Sequence, residues 1–376
     1  MGTACAWWLK QMSPGLRVTV IERDPTYAKA ATALSVASVR QQFSTAVNVE
    51  ISRFGIDFIR HFKDRVGHGA GDLGLKENGY LFVTGDPAAA ALMVELAEMQ
   101  RAHGAGTEVL DAEGINARFP WIETGDLLAG SFGPRDEGWF DNMGYLAGFR
   151  MAAKAAQVEF VRGAVEKIEV TSGRVSGVQL ASGETLACGA LVNAAGTGAA
   201  GLMAMAGFPI PVEPRKRTVF VIDAPNARHP DAPLLIDRGF YLRPEHAYWI
   251  TATVPSDDGE CDINDFEPDL HLFEDVIWEQ LYARAPGFDA VKVIRHWVGH
   301  YDYNTLDQNA ILGPHPALAN LYIMNGFSGH GLQQAPAVGR GIAEHILTGG
   351  WQSLDLSDLG MQRVLNGQPF RERAVV

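Results

Sequence analysis

Gly2-Thr-Ala-Cys-Ala-Trp-Trp-Leu-Lys-Gln-Met12, then Pro14-Gly15, then Arg17-Val-Thr-Val-Ile-Glu22 is the stretch on which the reading of the chain turns. Its first part has the apolar spacing of a helix of about three turns, Pro14-Gly15 ends that helix, and the β-branched run after it is a strand closing on an acid. Helix, turn, strand and acid form the second half of a βαβ unit. In the dinucleotide-binding form of that unit a first strand and G-x-G-x-x-G precede the acid by about 20 residues, so Gly2 falls at the third glycine. The first strand and the two earlier glycines are not in the sequence. Those glycines permit the tight turn and the approach of backbone to a pyrophosphate. The expectation is therefore half a motif, about one strand and one turn short, with a native start upstream of Met1. A solvated acid at a strand end is the plain alternative for Glu22.

Working outward, 376 residues suit two or three units, and 47% hydrophobic with 20% charged residues can bury sizeable cores. The 31 basic and 44 acidic side chains give a net charge of −13, which repels nucleic acid and anionic lipid. Cys5, Cys188 and Cys261 are odd in number and far apart, which indicates neither a disulfide framework nor a zinc site. A reducing, cytoplasmic setting is expected. The uncharged run from Thr185 to Val212 contains Asn193, two prolines and many small residues, and reads as a strand, a Gly turn and a small-residue helix rather than a membrane span. The 41 glycines, above the ~7% average, call for an explanation.

Further along, Val158 to Val170 reads as two short strands, Arg174 to Leu180 alternates as a half-buried strand, and Thr185 to Gly196 reads as one strand running into a Gly-rich turn. The aromatic and β-branched runs between Pro211 and Pro255 predict an antiparallel sheet, with Arg215-Lys-Arg217 at the start of a strand crossing between domains. Glu267 to Arg284 has helical spacing, Ile294 to Tyr303 and Leu321 to Asn325 read as strands, and Gln333 to Leu347 as a helix.

Three separated strings, Ile21-Glu-Arg-Asp24, Leu191-Val-Asn-Ala-Ala-Gly196 and Asn325-Gly-Phe-Ser-Gly-His-Gly-Leu332, together resemble the FAD-dependent oxidoreductases of the D-amino-acid oxidase superfamily. Leu34 to Ser44 and Tyr301 to His315 resemble one branch of that superfamily more closely, a branch associated with assembly of respiratory complex I. The resemblance implies an α/β chain: a Rossmann-like FAD-binding domain from residues 1–45, 145–210 and 305–376, and an α+β substrate domain with an antiparallel sheet from 46–144 and 211–304. It implies noncovalent FAD, since no cysteine lies near Gln308-Asn309-Ala310 and no histidine in Ser35 to Arg40. Gly2, counted with the cofactor-binding residues, would allow close packing of the first helix on a strand, and Glu22 and Arg23 would meet the adenosine half. Thr32, Ser35, Ser38 and Arg40 would line the pyrophosphate and the near edge of the flavin. Val165 would touch adenine through its backbone, and Ala195 and Gly196 would pass the phosphates. Gly326, Ser328, Gly329, His330, Gly331, Leu332 and Gln333 would cover the isoalloxazine.

The implied reaction is oxidation of the C–N bond of a small amine or amino acid by hydride transfer to flavin N5, with oxygen or an electron-acceptor protein as oxidant. His330, Tyr301 and Tyr303 are the candidate side chains at the substrate, each with an ordinary packing role as the alternative. Relatives commonly carry a carboxylate-binding arginine shortly after the W-x-G strand, and here Trp297-Val-Gly-His-Tyr301 puts a tyrosine in that place. Arg243, in Tyr241-Leu-Arg-Pro, is the candidate replacement, with a structural salt bridge about as acceptable. His296 and His300, four apart on a strand, do not suggest a metal site. Two readings compete with the enzyme: a flavin-fold protein that binds partners in respiratory complex assembly, and a chain that holds no FAD because its first strand is missing.

Overall fold

The computed structural model describes residues 1–374. Helix Gly2–Met12 sits at the centre of one packed layer because both of its faces are apolar. Trp7 turns toward Phe58 and Phe149, with ring centroids 5.9 and 5.7 Å away. Cys5 and Leu9 turn the other way, into a cluster with Val338 and Ile342 of helix Gly331–Thr348. Helices Ala46–Arg60 and Asn142–Ala155 complete the first of these clusters. Two long helices meet where Gly339 lies against the first one: a Cβ there would stand 3.0 Å from Cys5 N and 3.1 Å from Ala4 C. The close packing expected at Gly2 is thus found at Gly339, since a Cβ at Gly2 would make only an ordinary 3.5 Å contact with Ala194.

Beside these helices lie two short sheets. Thr19–Glu22 pairs in parallel with Glu159–Arg162. Leu191–Asn193 pairs in parallel with Leu318–Asn325, which pairs antiparallel with Ile311–His315. Among the described residues no strand lies between Thr19–Glu22 and Leu191–Asn193, so each presents an unpaired edge on one side. Val165–Thr171, Arg174–Leu180 and Thr185–Ala187 form an antiparallel meander over this layer.

An eight-stranded mixed sheet forms the other half. Its longest pair, Val212–Asp223 against Lys292–Asn304, runs antiparallel from Val212 opposite Asn304 to Asp223 opposite Lys292. Tyr248–Thr253, Phe240–Glu245 and Leu234–Asp237 follow, and a single parallel pairing joins Leu234–Asp237 to Tyr80–Thr84. The mixed sheets and the helical layer fit the expected Rossmann-like unit with a second, sheet-based unit. Helix Ala46–Arg60 packs into the helical layer, not against the large sheet.

Two local readings are corrected. Thr185 to Asn193 is two strands rather than one: Thr185–Ala187 belongs to the meander and Leu191–Asn193 to the parallel sheet. The chain changes sheets at Gly189, whose carbonyl accepts from Asn320 Nδ2 at 2.9 Å. The helix predicted from Glu267 begins later, with a π-type turn at Phe273–Ile277 continuing into Trp278–Arg284. Asp265 and Asp269 are instead drawn to Lys216, each 3.0 Å from its Nζ, and hold that segment on the strand. No helix among the described residues is long and apolar enough to cross a membrane.

Candidate active site

A continuous cavity of about 1690 Å³ runs from the end of strand Thr19–Glu22, past the start of helix Gly2–Met12, to the large sheet. That is more than the roughly 300–1,000 Å³ of an ordinary small-molecule pocket. Gly2, Glu22, Arg23, Thr32, Ser35, Ser38, Arg40, Val165, Ala195, Gly196, Ser328, Gly329, His330, Gly331, Leu332, Gln333 and Tyr301 all face it. Gly326, Arg243 and Tyr303 do not line it. Arg243 donates to Val36 O at 3.0 Å, pairs with Glu245 and lies 5.1 Å over the Trp139 ring. The Tyr303 hydroxyl takes a hydrogen bond from Gln308, and its ring lies under Arg215.

At one end of the cavity Glu22 sits where its strand stops, with Oε1 accepting from Asp24 N at 2.8 Å. Nearby, helix Gly2–Met12 begins without a side-chain cap, so its first-turn N–H groups are free to meet an anion. Gly196 has φ 55°, and no atom lies within 4 Å of the point where its Cβ would stand. Bare backbone is therefore presented to the cavity there.

The other end is built around the Gly326–Gly331 turn. Asp302 holds it: Oδ2 accepts from Gly326 N at 2.8 Å and from Phe327 N at 3.3 Å. Burial raises the Asp302 carboxyl to about 6, while those two amides pull the other way. Gly329, at φ 94°, lies against the ring of Tyr301, and a Cβ would come within 2.7 Å of Tyr301 Cε2. The turn and the tyrosine thus fix each other.

Arg40 is buried with its guanidinium 4.2 Å from the Phe43 ring. Its Nη2 lies 3.1 Å from His330 Nε2. Arginine only donates, so Nε2 accepts and the imidazole proton belongs on Nδ1. Burial, and then the Arg40 charge, hold the His330 pKa well below the usual imidazole range, so the ring is neutral at pH 7. Gln333 clamps the same segment: its Oε1 accepts from Arg40 N at 2.7 Å and its Nε2 donates to Arg40 O and Ser52 Oγ. Behind Arg40, burial lifts the Glu137 carboxyl to about 7 although Gln41 N and Gln42 Nε2 both donate to it at 2.7 Å.

Among the cavity residues not singled out from the sequence are Arg217, Tyr80, Tyr241 and Asp302. Arg217 was passed over as part of a basic run at a strand start; alternation along Val212–Asp223 was the available signal. The tyrosines gave none, because their approach depends on the order of strands in the sheet. Among the described residues no group of three or more His, Cys, Asp or Glu is gathered as a metal site.

This cavity has a strand-end acid at one end, bare-backbone turns along it and a titratable cluster at the other, a length and lining that fit a long anionic cofactor. The chain belongs to the FAD dependent oxidoreductase family, whose model matches residues 1–345. It is similar to FAD-dependent oxidoreductase domain-containing protein 1 of Xenopus laevis, at 36% identity over 100% of this chain and 83% of that protein. The Bos taurus protein of the same name is also 36% identical, over 100% and 85% of the two chains. Among solved structures, L-proline dehydrogenase from P. horikoshii superposes with a TM-score of 0.85 at 25% identity, covering 98% of this chain and 96% of that one. Glycine oxidase from Geobacillus kaustophilus shares the fold, with a TM-score of 0.80 at 19% identity over 96% and 95%. The superfamily resemblance drawn from three short strings therefore holds across the chain.

Proposed function

We infer that this chain is an FAD-dependent enzyme that oxidises the C–N bond of a small amine or amino acid, in a reducing, cytoplasmic compartment. The observation that carries this reading is the single cavity faced by Glu22, Ala195-Gly196, residues 328–333 and Tyr301. Residues 1–45, 145–210 and 305–376 hold the cofactor, braced by helix Ala46–Arg60, and 46–144 with 211–304 frame the substrate. When bound, noncovalent FAD supplies the two-electron oxidant that converts amine to imine.

The chain's own residues divide the remaining work. The Glu22 carboxylate suits ribose hydroxyls, and the free N–H groups of the first helix suit the pyrophosphate. Asp302 keeps the glycine turn in one conformation. Neutral His330 orients the Arg40 guanidinium through Nε2, and the apolar and tyrosine walls exclude water from the substrate.

The test is visible absorption of the purified protein and its bleaching by a panel of primary and secondary amines, followed with oxygen and with an artificial electron acceptor. Glu22→Ala is expected to weaken FAD binding by about tenfold or more, through loss of charge-assisted hydrogen bonds. One observation favours a competing reading, in which the chain holds no FAD: Thr19–Glu22 and Leu191–Asn193 both line the cavity, each with an unpaired edge, and among the described residues no strand pairs with those edges. A colourless protein that added FAD does not stabilise would establish that reading.

A further inference from the structure

The backbone of Arg40 is held from two sides, by Gln333 at its own N–H and carbonyl and by Glu137 at the Gln41 N–H. Neither bonds the guanidinium, whose direction is set by other groups. We propose that Glu372 is a positioning residue for Arg40: it latches segment 370–374 across the start of helix Ala46–Arg60, and the latched segment turns the guanidinium onto His330 at the glycine-turn end of the cavity. This rests on the function proposed above for the meaning of that end. It goes beyond that function in giving a role to a segment that does not line the cavity.

Glu372 is 0% exposed, and a carboxylate is costly to bury unless donors surround it. Here Oε1 accepts from Ser44 N at 2.7 Å and Oε2 from Asn48 Nδ2 at 3.0 Å. Ser44 and Asn48 flank the first residue of helix Ala46–Arg60, which has no side-chain cap of its own, so the carboxylate also meets the positive end of that helix. Oε1 accepts a further bond from Ala374 N at 3.0 Å, which fixes the course of the segment beyond it. On the other side Asp307 pins the segment: its Oδ2 accepts from Phe370 N at 2.9 Å and its carbonyl from Glu372 N at 3.0 Å. Asp307 is in turn held by Arg363 at 2.7 Å, a pair that is almost wholly buried.

The Ala374 carbonyl presented in this way accepts from Arg40 Nη2, the same nitrogen that lies 3.1 Å from His330 Nε2. Nη1 donates to the Gln42 carbonyl, and the Phe43 ring lies 4.2 Å from the guanidinium. Every hydrogen-bond partner of the guanidinium among the described residues is therefore neutral, because His330 is held uncharged. A carbonyl fixes the direction of the cation without cancelling its charge, as a carboxylate in that place would. The charge stays available to whatever occupies the cavity, which Arg40 and His330 both line.

The test is the titration of His330 in the full chain without added FAD, followed by NMR of histidine-labelled protein, with His330→Gln to assign the signal. Glu372→Ala is expected to let the Arg40 charge move off the ring, so that His330 titrates at a higher pH than in the unsubstituted chain. In an Arg40→Gln background the same substitution is expected to add little, because its effect passes through Arg40. Glu372→Gln keeps an oxygen for Ser44 N and is expected to give a smaller shift of the same sign; it decides the matter if Glu372→Ala does not fold. Arg373→Ala removes only an exposed pair with Glu95 and is expected to leave His330 unchanged. With FAD added, the visible spectrum of the bound flavin is expected to shift in Glu372→Ala and not in Arg373→Ala. A merely structural latch predicts that Glu372→Ala moves the His330 titration equally with and without Arg40. That outcome, an unmoved titration, or an unmoved spectrum of bound flavin overturns the inference. Failure to bind FAD overturns the enzyme reading instead, and is read from absorption while the titration still decides what directs Arg40.

Discussion

Glu137 is a buried carboxyl whose two hydrogen-bond donors do not offset its loss of water, which is why its pKa rises from 4.5 to about 7. Because the folded value exceeds the unfolded one, its contribution to stability is fully present below about 4.5 and is lost as pH rises through about 7. Glu137→Gln is expected to flatten the decline in melting temperature between pH 5 and 8, measured by calorimetry across that range. His330 has the opposite sign of shift. Its pKa is lowered, so protonation favours the unfolded chain and stability falls as pH drops below the ordinary imidazole value of 6.5. Gly329 makes a steric prediction: Gly329→Ala meets both a left-handed backbone and the Tyr301 ring. A loss of about 1–3 kcal/mol is expected in denaturant unfolding, with a shifted tyrosine environment in near-ultraviolet dichroism. At this scale the sequence revealed the glycine turn and Glu22, whose motifs are local. It did not reveal Glu137 or Asp302, because a carboxyl's burial depends on residues tens of positions away.

Elements show where local pattern was sufficient and where it was not. The opening helix and the large-sheet strands between Val212 and Asn304 could be read from residue type and spacing, since one or two apolar faces impose a period of 3.6 or 2, whereas Tyr80–Thr84, Glu108–Leu110 and Ala129–Gly133 of the same sheet were not read. The break at Gly189 and the late start of the helix at Phe273 could not, because each is decided by a partner from another element: Asn320 in the first case, Lys216 in the second. Helix contact at Gly339 is equally a tertiary matter. Gly339→Val is expected to force Gly331–Thr348 away from Gly2–Met12 at a cost of about 1–3 kcal/mol, read as a lower unfolding midpoint with unchanged m-value. The strand edges at Thr19–Glu22 and Leu191–Asn193 lack one set of ladder bonds among the described residues. Their amides are expected to exchange faster than those of Val212–Asp223, as hydrogen-exchange mass spectrometry would resolve.

Across the whole molecule, the cavity walls come from the opening helix, the meander, the large sheet and the Gly331–Thr348 helix, so one ligand would bridge segments that are distant in sequence. Added FAD is therefore expected to raise the melting temperature progressively with its concentration, as ligand linkage requires, and the rise should shrink in Glu22→Ala. The chain by itself determined the class of fold and the cofactor family, because helix period, strand alternation and glycine turns are written in neighbouring residues. Every cofactor candidate it offered except Gly326 faces the cavity. Only the tertiary structure decided the end of the cavity at the large sheet. There Arg217 reaches Tyr301 from an adjacent antiparallel strand while Arg243 turns to Val36, and both outcomes follow from strand register and side-chain direction, which no local pattern of residues specifies.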